Sequence, residues 1–155
     1  MSRPRTTPTV NEFVLELKGL TDVVEERFML FCQHLVAEIA DQGLITPGRW
    51  GPGTPIDTSF ARRSWRFGLD QPTSGPVRPI KDGPLPPEMD LANLGSFNTE
   101  TLAYLTSDCE YMEALEYGHS QQAPAGMIRT TLTQLEPMAN YILAMLRKGG
   151  WQPIS

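Results

Sequence analysis

The sequence predicts an α+β fold: a small, mostly antiparallel sheet of about three strands packed by two long helices, with a long Pro/Gly-rich excursion. Three observations lead there. Apolar and polar residues alternate near residues 12–18, 64–70 and 100–107. Apolar residues recur at three- and four-residue spacing over residues 22–42, and again from residue 127. Between the last two alternating segments, residues 71–98 hold six prolines and three glycines, which suits neither a helix nor a long strand.

With 155 residues, one domain is expected, spanning 11–155 behind a flexible arm at 1–10 that holds Arg3, Pro4, Arg5 and Pro8. Phe13, Leu15 and Leu17 alternate with Val14, Glu16 and Lys18. This favours a strand ending at Gly19, half-buried on its phenylalanine face; helix is the competing reading. Thr21-Asp22 offers an N-cap, and Glu25 and Glu26 fall in the first turn, where the helix dipole favours acids. Val24, Phe28, Phe31, Leu35 and Ile39 form the buried stripe of the first long helix, and Gly43 is its expected stop.

Residues 44–59 are a loop rich in glycine and proline. It lacks the lysine of a phosphate loop, and its prolines remove the N–H donors such a loop needs, so nucleotide binding is rejected. Trp50 in this loop either anchors a neighbour or packs on its own domain. Asp57-Thr58 is placed to cap a short helical turn through Ala61 and Arg62. The strand that follows carries Trp65 and Phe67 on one face, and Ser64 and Arg66 on the other.

In the third strand Leu102, Tyr104 and Thr106 share one face, Ala103 and Leu105 the other. A short helix over 110–117 sets Tyr111, Ala114 and Leu115 on its apolar face and Glu110, Glu113 and Glu116 on a solvated flank. Gly118 stops it, and residues 119–126 form a polar loop with Pro124 and Gly126. The final helix should bury Ile128, Leu132, Leu135, Ala139, Ile142 and Leu146, with Pro137 kinking or splitting it. Gly149-Gly150 ends it, and Trp151 follows in a tail suited to docking on a partner.

Charge and side-chain chemistry narrow the function classes. The net charge is −5, which argues against a sequence-reading DNA binder. It is uneven: residues 98–120 hold five acids (Glu100, Asp108, Glu110, Glu113, Glu116) and no Lys or Arg, whereas residues 49–66 hold four arginines against Asp57. That basic block leaves open a local lining that faces DNA. His119 beside Ser120 is the only tempting nucleophile pair, but adjacent residues rarely face each other, so no catalytic constellation is expected. His34 with Glu38 is too few ligands for zinc, and no cofactor is expected. Cys32 and Cys109 lie far apart and read as thiols in a reducing compartment; a disulfide is the less expected alternative. No run approaches a membrane span, and residues 1–10 lack the apolar core of a secretory signal.

Tyr111, the run Glu116-Tyr117-Gly118-His119-Ser120, and Ala123-Pro124-Ala125-Gly126-Met127 with Arg129 resemble the neck proteins of long-tailed phages. These are head–tail joining or tail-completion proteins related to minor tail protein Z. That family's second signature, a proline-aspartate-threonine-glycine turn before a tryptophan strand, is similar to Pro55-Ile56-Asp57-Thr58-Ser59 and Trp65, with Ser59 in place of the usual glycine. The resemblance spans about residues 13–147, except 71–98. It implies a structural virion protein, assembled in the host cytoplasm, forming a ring around the DNA channel; the ring symmetry of tails implies six copies. Its partners would be itself, tail terminator or tail tube proteins, and head-closure or connector proteins, with non-specific contact to genomic DNA. A tail terminator or head-closure stopper is the neighbouring alternative, and a small non-virion regulator or ligand-binding module the distant one. Within a ring, at least one of Arg62, Arg63 and Arg66 is expected to face the DNA channel or an acidic neighbour, Glu113 and Glu116 to meet a neighbour's basic block, and Trp50 or Trp151 to anchor the contact.

Overall fold

The computed structural model describes residues 10–56, 60–75, 89, 91–150 and 152, apart from the side chain of Phe13. Helix α1 (Val10–Ile39) opens this part of the chain and absorbs the segment expected as the first strand. The alternation there is real, but Val10, Val14, Leu17, Leu20 and Val24 also keep three- and four-residue spacing. They run in phase into Phe28, Phe31 and Leu35. Thr21 is therefore no cap; it sits mid-helix and its Oγ1 donates to the carbonyl of Leu17 at 3.0 Å.

Gly43 does not stop the helix either. The helix widens into a π-helical turn (Ala40–Ile45), closed where the Thr46 N–H donates to the Asp41 carbonyl at 2.9 Å, just before Pro47. Glycine is needed at 43 for a different reason: a Cβ there would run into the side chain of Thr131, which is fully buried.

Helix α2 (Phe60–Arg63) is a single turn that leads into β1 (Trp65–Leu69). Strand β1 pairs antiparallel with β2 (Ala103–Ser107) in the register Trp65↔Ser107 and Phe67↔Leu105. Both strands lie inside their expected segments, and the chain is α+β. Among the described residues the sheet has these two strands, because the first expected strand, near residues 12–18, is helix. Asp70 turns the chain at the end of the ladder with φ 62°. Its N–H donates to the Leu102 carbonyl at 2.8 Å, and its Oδ1 accepts the Leu102 N–H at 3.0 Å. Of the expected excursion, residues 71–75 fold back along β2, where Thr106 Oγ1 donates to the Thr73 carbonyl at 2.8 Å. A 3₁₀ turn (Ala92–Ser96) buries Leu94. Residues 76–88 and 90 lie outside the described residues.

Helix α3 (Met112–Glu116) sits inside the expected span, and Gly118 ends it at φ 90°. Its buried residues are Met112 and Glu116; Tyr111, expected on the apolar face, is 44% exposed and lies 6.0 Å from the ring of Phe60. The final helix is split into α4 (Ile128–Thr133) and α5 (Leu135–Gly149). Pro137 is in the first turn of α5, and the bond to Thr133 that it removes is where the two helices part. Ile142 and Leu146 are buried as expected, but Met138 faces inward in place of Ala139, and Leu132 is 53% exposed.

Two apolar clusters make the core. One joins Leu44, Ala61, Trp65, Cys109, Met112 and Met127; the other joins Trp50, Met138, Ile142 and Leu146 to Phe31, Leu35 and Ile39 of α1. Helix α5 thus covers the C-terminal part of α1, ending near His34, whose Nε2 donates to the Gln152 carbonyl at 2.9 Å. Towards its N-terminus α1 is bare: every described side chain from Val10 to Phe28 is exposed.

Candidate interaction surfaces

Glu116 is the best-connected side chain among the motif residues. It is 8% exposed. Its Oε2 accepts the N–H groups of Met127 and Ile128 at 2.9 and 2.8 Å, and its Oε1 accepts the N–H of Arg129 at 2.9 Å. The Arg129 guanidinium closes the unit: Nε donates to Glu116 Oε1 at 3.1 Å and Nη2 to the Glu116 carbonyl at 2.6 Å. Three amide donors at the start of α4 are thereby satisfied by one carboxylate. Burial pushes the Glu116 carboxyl up, but the amide and guanidinium donors of Arg129, Ile128 and Met127 outweigh it and hold the group below the usual glutamate range. Glycines permit the approach. A Cβ at Gly126, φ 81°, would strike the Glu116 carbonyl, and one at Gly118 would lie 2.7 Å from the Pro124 carbonyl. Tyr117 is exposed and its ring lies 5.1 Å under the Arg129 guanidinium.

Glu116 is therefore not on a solvated flank and is not available to a neighbour's basic block; burial at an amide-rich helix start is a tertiary property that its spacing alone does not reveal. Glu113 is exposed. The expected separation of the charge blocks also fails at one point, since Arg66 Nε lies 3.7 Å from Asp108 Oδ2 within the same chain. Arg66 further donates from Nη1 to the Arg63 carbonyl at 3.1 Å. Arg62 turns inward: its Nη2 donates to the Thr54 carbonyl at 3.2 Å, and burial lowers its pKa from the ordinary arginine value. Arg63 is half-buried.

Trp50 packs on its own chain. It is 7% exposed, and its Nε1 donates to Glu38 Oε1 at 2.7 Å. Its ring lies 5.7 Å from that of Tyr141, over which Arg49 stacks at 4.2 Å. This removes it as an anchor for a neighbour. Trp65 is likewise internal, its Nε1 donating to Thr54 Oγ1 at 2.7 Å. Thr54, fully buried, also donates to the Leu44 carbonyl and so ties the 44–56 loop to the π-helical turn. Asp57, Thr58 and Trp151 lie outside the described residues.

Two surfaces went unseen in the sequence. One is a half-open, apolar groove of about 300 Å³ between α1, the sheet and α4. Leu44, Trp65 and Thr131 are its buried floor, and Val36, Ile39, Leu105 and Ile128 its half-buried walls; Ala103 and Leu132 stand exposed at its rim. The other is the bare part of α1, where Val10, Val14, Leu15, Leu17, Leu20, Val23, Val24 and Phe28 are each 42–79% exposed. The signal for the second was present as the seven-residue repeat Val10, Leu17, Val24, Phe31, hidden by the competing alternation.

His119 Nδ1 donates to the Ala114 carbonyl at 3.0 Å, so the ring is turned back into its own helix end. Cys32 and Cys109 are unbridged. Among the described residues no three His, Cys, Asp or Glu side chains converge as a metal site, and no helix is long and apolar enough to cross a membrane. No protein-family model, curated protein or solved structure matches the chain.

Proposed function

We propose that this chain is a structural subunit of the neck of a long-tailed phage, with no catalytic, metal or cofactor role. It completes the tail, joins it to the DNA-filled head, or both, as part of a ring around the DNA channel. The observation that carries an assembly role is the bare half of α1. Eight large apolar side chains exposed on one helix are the kind of surface that protein contacts cover. The phage assignment rests on the resemblance of the residues from Tyr111 to Arg129, whose Glu116–Arg129 unit is built for rigidity and not for chemistry.

In this reading the ring has six copies, assembles in the host cytoplasm and remains in the virion. Its neighbours are tail terminator or tail tube proteins on one side and head-closure or connector proteins on the other. Arg49, the exposed cation of the 49–66 block, makes any contact with DNA. A tail terminator or stopper role would use the same surfaces at a different height along the axis. The apolar groove favours one other reading, a small module that binds an apolar ligand outside any virion.

A reconstruction of the purified particle tests the proposal. It should place a ring of this chain between head and tail, and particles made without the chain should show separated heads and tails. Particles that lack the chain and are nevertheless complete and infectious would overturn it.

A further inference from the structure

We draw no further inference here: the strongest candidate, the half-open apolar groove between α1, the sheet and α4 together with the exposed apolar stretch of α1, carries no proposal because nothing in the structure shows what covers either surface.

Discussion

Glu116 accepts four hydrogen bonds from Met127, Ile128 and Arg129, and this one carboxylate holds the end of α3 to the start of α4. Replacing it by Gln keeps the size but removes the charge and turns one oxygen into a donor aimed at donors. Glu116→Gln should cost about 1–3 kcal/mol, read from the urea midpoint near neutral pH. The pH dependence follows from the depressed folded pKa. Stability from Glu116 is fully present above the ordinary glutamate value of 4.5 and is lost as pH falls through the lower folded value. The unaltered chain should therefore lose stability on acidification through that window, and the Gln variant should lose less. Equal acid sensitivity in the two proteins would contradict this account of the site. The sequence made the spacing of Glu116, Gly126 and Arg129 visible. It did not make visible that Glu116 is buried, because an acid on the flank of a short amphipathic helix looks solvated until the next helix start is placed against it. Trp50 shows the same limit: a tryptophan in a Gly/Pro loop is equally compatible with a neighbour's pocket and with Glu38 of its own chain.

At the scale of elements, the strands at 65–69 and 103–107, the short helix ended by Gly118 and the break near Pro137 were legible, since each rests on local pattern or on a breaker. The start of α1 was not. Phe13, Leu15 and Leu17 satisfy a two-residue period, while Val10, Val14, Leu17, Leu20 and Val24 satisfy a helical one, and a short window cannot decide between them. Length decides: the helical phase continues unbroken to Ile39. Gly19 is the weak point of this helix, for it lies in the exposed half and a Cβ there would meet nothing within 4 Å. Gly19→Ala should therefore stabilise the helix by about 0.5–1 kcal/mol and raise helical content in circular dichroism. A loss of helix would mean that the segment around Gly19 is not helical in solution.

For the whole molecule, the packed part and the bare part of α1 must differ in local stability. From Phe31 onward the helix is held by Trp50, Met138, Ile142 and Leu146. Among the described residues no such cluster supports the stretch from Val10 to Phe28, and an isolated helical stretch of this length is marginal in water. A partner that covers it would supply the missing packing, so its protection should depend on protein concentration. Hydrogen exchange of the backbone amides across α1, followed over a wide concentration range, measures this directly. The account predicts fast exchange at residues 10–28 in dilute protein and slow exchange once copies associate, with residues 31–39 protected throughout. Fast exchange at residues 10–28 at every concentration, or protection already complete in the monomer, would contradict it.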